Sequence, residues 1–146
     1  MKAERIFSPQ QYRWIQLAIN LLFIAVWCFA NEGLSFWDDY TYLNFANEIN
    51  QGTFEVTTNH FTSRLVLIYP TAWFIDLFGI NEYSMVIFPL LCGLGLINLF
   101  FFLANRVNYW IGLLGGMLIL CDYHMINFAI HLFPELPLTL CIFIFL

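Results

Sequence analysis

Two stretches without a formal charge govern what this chain can fold into. Residues 14–31 run for 18 positions and residues 83–105 for 23. At about 1.5 Å per residue, helices of these lengths reach roughly 27 and 35 Å, enough for a hydrocarbon core of about 30 Å. In water each would have to be buried on every side, and the rest of the chain offers little cover. Only 10% of the 146 residues are charged and 61% are hydrophobic, with a mean hydropathy of +0.74. Soluble domains run nearer ~25% charged. A soluble enzyme and a disordered tail are therefore poor fits. Five basic residues and a net charge of -5 also speak against a nucleic-acid partner. The expected fold class is all-α, a polytopic transmembrane helix bundle.

The first run reads as a retained span rather than a cleaved signal, because Trp27, Cys28 and Phe29 stand where small residues would be needed. Lys2, Arg5 and Arg13 precede it, so the positive-inside rule puts the N-terminus in the cytoplasm. Residues 32–82 then form an external loop, with seven acidic residues and one basic, Arg64. Within it Tyr42, Phe45, Ala46 and Ile49 recur at helical spacing and predict a surface helix over about 37–50. Ser35 with Asp38 fits a capping box at its start, and Gly52 ends it. Residues 65–78 are apolar but short and contain Pro70 and Asp76, which suits an interfacial or re-entrant helix closed by Gly79.

The second span covers 83–105 and returns the chain to the cytoplasm at Asn105-Arg106. Residues 107–121 make a third, short span whose Gly112, Gly115 and Gly116 form a small-residue face. Asp122, His124 and His131 fall in the external turn that follows. Pro134-Glu135 opens a fourth span over 135–146, cut short inside an apolar stretch. Residues 1–146 are thus expected to be one transmembrane domain, the amino-terminal piece of a longer membrane protein. Asn20, the awkward polar residue of the first span, should face protein rather than lipid. Trp14, Trp27, Trp37, Trp73 and Trp110 mostly flank spans, as interface anchors do. Cys28, Cys92, Cys121 and Cys141 have no CxxC or Cys/His metal spacing and read as small hydrophobes.

Three features point to chemistry. Asp38 and Asp39 are adjacent carboxylates at the start of an amphipathic helix, so one can enter a cleft while the other serves backbone or solvent. An acid beside apolar rings can serve as a general base; the plainer reading is a cap plus a solvated acid. Glu135 enters an apolar run without a flanking base, a costly position eased by the free N–H groups of a helix start; plainly read, it is an interfacial cap. If both loops are external, Asp38 and Glu135 can meet across the top of the bundle and hold a divalent metal ion or a polar ligand. Arg64 carries a fork of donors suited to phosphate, or else anchors at the interface. His60, His124 and His131 are weaker candidates, more simply polar interfacial residues. A transporter fragment or non-catalytic membrane protein, using Asn20, Asp122 and Glu135 inside the bundle, is the alternative to an enzyme.

The order of these features resembles the amino-terminal part of GT-C-type glycosyltransferases that use polyprenyl-phosphate sugars, the group of the protein O-mannosyltransferases and the aminoarabinose transferases of lipid A. The carrying residues are Asp38-Asp39-Tyr40-Thr41-Tyr42 with Ala46 beyond, then Arg64 ahead of Leu77-Phe78-Gly79, then Phe133-Pro134-Glu135-Leu136-Pro137. Asp39 stands where the family has Glu, Glu135 where Asp is more common, and a Lys-Pro-Pro-like element is absent. The resemblance implies a bacterial inner-membrane enzyme with a periplasmic or extracellular site, moving a sugar from its lipid carrier to a hydroxyl on lipid, glycan or protein. It implies Asp38 as general base, Asp39 orienting the loop or a metal, and Arg64, or a bound cation held partly by Glu135, stabilising the leaving phosphate. Tyr42 and His60 would join Arg64 in contacting substrate.

Overall fold

The computed structural model describes residues 8–145. Lys2, Arg5 and Leu146, used in the orientation and fourth-span expectations, lie outside the described residues. Seven helices and no strand are present among the described residues: α1 Pro9–Ala30, α2 Trp37–Gln51, α3 Leu65–Phe78, α4 Ile87–Val107, α5 Tyr109–Cys121, α6 Tyr123–Ile130 and α7 Glu135–Phe145. Of these, α1 and α4 are long and apolar enough to cross a membrane. The stretches expected as third and fourth spans are too short alone, at 13 residues for α5 and 11 for α7. With α6, which meets it at 60°, α5 could make one broken crossing.

Local chemistry explains where the boundaries depart from expectation. Helix α1 starts before residue 14 because Ser8 and Gln11 form a reciprocal capping box, with bonds of 3.2 and 2.8 Å. Arg13 is thereby carried inside the helix. Helix α4 starts at Ile87, later than residue 83, because the Asn81 side chain holds the N–H groups of Tyr83 and Ser84 in a turn. The external turn expected over 122–131 is instead helix α6. Asp122 adopts an extended backbone and its carboxylate accepts the His124 N–H at 3.0 Å, ending one helix and capping the next. Helices α2 and α3 hold close to their expected limits. Gly52 closes α2 at φ +71, which favours glycine, with the N–H groups of Gly52 and Thr53 returning to Ile49 and Glu48.

Helix α4 is the hub. It packs against α1, α3, α5, α6 and α7, whereas α2 packs against α3 alone among the helices. Two devices hold the hub to its neighbours. The first is polar: Asn98 of α4 bonds Asn20 and Gln16 of α1, at 3.0 and 2.6 Å to its oxygen. Asn20 faces protein as its chemistry requires, since an unpaired amide in an apolar setting is costly. The second is steric. Gly112 and Gly116 lie against buried Tyr12 and Phe101, and Gly115 against Phe100. A Cβ on Gly116 would stand 2.5 Å from the Phe101 ring. The aromatic rings occupy the space that side chains on α5 would need.

The outer surface is apolar on several helices. Phe29, Phe145 and Leu118 are 91%, 89% and 73% exposed, and Trp14, Leu21 and Leu22 line the outside of α1. So extensive an apolar exterior is what lipid, not water, accommodates.

Both devices are open to test. Gly116→Val should destabilise the fold by about 1–3 kcal/mol through overpacking. Asn98→Leu should cost roughly 0.6–1.7 kcal/mol for each interhelical bond lost. Reversible unfolding in mixed micelles measures both, and wild-type stability in either would remove that contact from the account.

Candidate functional site

The site grows from the start of α2. Asp39 is fully buried, on the same stripe as Tyr42 and Ala46. The N-cap is Phe36, so the expected Ser35–Asp38 capping box is replaced by Asp39 reaching back. Its Oδ2 accepts the N–H groups of Phe36 at 3.1 Å and Ser35 at 3.3 Å. The same carboxylate bonds the loop between α6 and α7: Leu132 N–H to Oδ1 at 2.7 Å and His131 Nδ1 to Oδ2 at 3.0 Å. Both oxygens are engaged and sealed from solvent, so Asp39 positions backbone.

Asp38, its neighbour, is half-buried and stands one turn ahead of Tyr42. Tyr42 is the point of convergence. Its ring is buried, and its hydroxyl accepts a hydrogen bond from Arg64 Nη1. The guanidinium lies 5.7 Å from the Tyr42 ring centroid and 5.3 Å from that of Phe61, within cation–π range of both. The approach to Arg64 is built by local turns. Asn59 Oδ1 takes the Phe61 N–H at 3.1 Å, and Thr62 Oγ1 donates to Asn59 O at 2.8 Å. No carboxylate forms an ion pair with Arg64 among the described residues. His60 is exposed and stacks on Phe61 at 4.1 Å, placing it at the outer rim.

Glu135 arrives from the far end of the chain as the first residue of α7, and its side chain is exposed. Its charge reaches Tyr42. Burial, the largest influence, pushes the Tyr42 phenol above its ordinary value; the hydrogen bond and charge of Arg64 pull it down, and the negative charges of Asp38 and Glu135 push it up. The charges of Asp38, Arg64 and Glu135 therefore all bear on one hydroxyl, which Arg64 bonds directly. Asp122 is not among them: it is exposed and caps α6, and His124 is exposed beside it. Among the described residues no three His, Cys, Asp or Glu side chains gather as metal ligands.

Below Glu135, Thr139 and Phe143 lie on the same face of α7 at four-residue spacing. Both line an apolar cavity of about 220 Å³ with Leu96, Phe100, Ile119 and Met125. His131 is the residue that sequence reasoning undervalued. Its partner Asp39 is 92 positions away, a pairing no local pattern signals.

Asp39→Ala should cost about 3–5 kcal/mol, because it strands several buried donors; a loss below about 1 kcal/mol in chemical unfolding would contradict the bonding described. Tyr42 gives a pH signature. With a folded pKa above the unfolded value of about 10, the native state holds its proton longer. Stability is unaffected at neutral pH and declines as pH rises through that window. Tyr42→Phe should show a shallower alkaline decline, and equal slopes would contradict the raised pKa.

Compared with known protein families, with curated protein sequences and with solved structures, the chain matches none.

Proposed function

We propose that this chain belongs to a membrane-embedded glycosyltransferase of the GT-C type and carries its sugar-transfer site. The observation that carries the proposal is the Arg64 guanidinium bonded to the buried Tyr42 hydroxyl, on which the charges of Asp38 and Glu135 also bear. Two acids and a guanidinium acting on one hydroxyl suit transfer of a sugar from a phosphate leaving group. The two long apolar helices and the apolar exterior support a membrane setting. The site then lies at the non-cytoplasmic face, by the distribution of Lys and Arg.

In this reading the acceptor hydroxyl gives its proton to Asp38 as its oxygen attacks the anomeric carbon. The bond from that carbon to the phosphate oxygen breaks on the opposite side, inverting the centre. The electron pair leaves with the polyprenyl phosphate, whose charge Arg64 meets with its remaining donors. Tyr42 and Phe61 hold the guanidinium in place. Glu135 offers an acceptor for sugar hydroxyls. The lipid tail takes the apolar cavity along α7, one to two turns below Glu135. His60 at the rim contacts the sugar or acceptor, and Asp39 orients the loop.

With a polyprenyl-phosphate sugar as donor and the protein in bilayers, Asp38→Asn should lower turnover at least ~100-fold, the scale of general-base catalysis. Its helix content should match wild type. Arg64→Ala should chiefly raise the donor KM and slow departure of the phosphate. Wild-type turnover with Asp38→Asn would defeat the general-base role, and an unchanged donor dependence with Arg64→Ala would take Arg64 out of the site.

A further inference from the structure

We propose that His131 is a positioning residue: with Asp39 it forms a latch that fixes the loop between α6 and α7 and so sets where Glu135 stands relative to Tyr42. What the positioned acid is for rests on the transferase reading; the latch itself does not.

Buried His131 has its Nδ1 3.0 Å from Asp39 Oδ2. With its proton on Nδ1, the imidazole donates to that oxygen. The ring is held edge-on to Phe36, centroids 4.6 Å apart, and rests against Phe133 at 5.7 Å. The next residue adds a second strut, Leu132 N–H to Asp39 Oδ1 at 2.7 Å. On the other side, the Trp27 indole N–H bonds Ala129 O at 2.8 Å and ties the end of α6 to α1. Only Phe133 and Pro134 separate this strut from Glu135, and the proline fixes its own φ. There is little slack. Among the described residues helix α2 packs against no helix but α3, so the Asp39 bonds and the Phe36 ring contacts are what join its start to this loop.

The groups that bear on Tyr42 are Asp38 on its own helix, Arg64 ahead of α3 and Glu135 on α7. The latch predicts that the Glu135–Tyr42 coupling passes through His131. The test encodes 3-fluorotyrosine at position 42 in the full chain, in bilayer discs at neutral pH, and follows its fluorine resonance. In the wild type, Glu135→Gln should shift that resonance. With His131→Leu, which cannot donate, the shift from Glu135→Gln should vanish, and the Leu132 amide should exchange roughly tenfold faster or more. With His131→Gln, whose amide can donate to Asp39, coupling and protection should return. A histidine that merely fills space would leave the coupling intact in His131→Leu, and this result overturns the latch. So does the absence of any shift in the wild type. If His131→Leu does not fold, His131→Ser, too short to reach Asp39, is read against the same outcomes. Sugar transfer on the same variants separates the two ideas. Coupling as expected with no transfer by the wild type overturns the transferase and leaves the latch. Transfer with undiminished coupling in His131→Leu does the reverse.

Discussion

A single carboxylate joins the start of α2 to the loop between α6 and α7. Asp39 receives two N–H groups from the start of its own helix and two donors from a loop 92 and 93 positions away. Each bond meets a need that burial creates: a helix start leaves backbone donors unpaired, and a buried loop must pair its own. A buried acid is costly unless it is fully bonded, and full bonding is what the arrangement supplies. Once these donors are committed to Asp39, the neighbouring acid, Asp38, is left accessible one turn from Tyr42, and Glu135 follows from the loop's path. These groups are thus placed by a residue that is itself sealed from solvent.

The bundle beneath it depends on a different economy of space. Helix α4 meets five other helices, and close approach is allowed where one partner gives up side-chain volume. On α5 the glycines yield to Tyr12, Phe100 and Phe101; on α4, Gly93 yields to Phe23 and Gly95 to Leu140. Hydrophobicity alone gives little preference for one helix pairing over another when the surroundings are equally apolar. Shape and the Gln16–Asn20–Asn98 amide cluster supply that preference, and they hold the floor on which the acids stand.

Much of this architecture can be read from the chain alone. Uncharged length marked α1 and α4, and the stripe of Tyr42, Phe45, Ala46 and Ile49 marked α2, because both signals are local. Gly52 and Gly79 marked the ends of α2 and α3 for the same reason. Helix α6 is hard to see in the sequence because Asp122, His124 and His131 carry the polarity of a turn. Asp122 is in fact an N-cap, and Met125, Ile126, Ala129 and Ile130 behind it carry a short apolar face. Among the site residues, Asp38, Arg64 and Glu135 stood out as charges placed where charge is rare. The division of labour between Asp38 and Asp39 did not: their side chains are chemically identical, and only the loop across the bundle distinguishes them. His131 was illegible for that reason too.

The 60° corner at Asp122 shapes more than one helix boundary. An eight-residue helix tilted this far from its predecessor gains only about 6 Å of height from its 12 Å of length, if α5 stands upright. The remainder is spent sideways, as a ledge across the bundle rather than a continuing column.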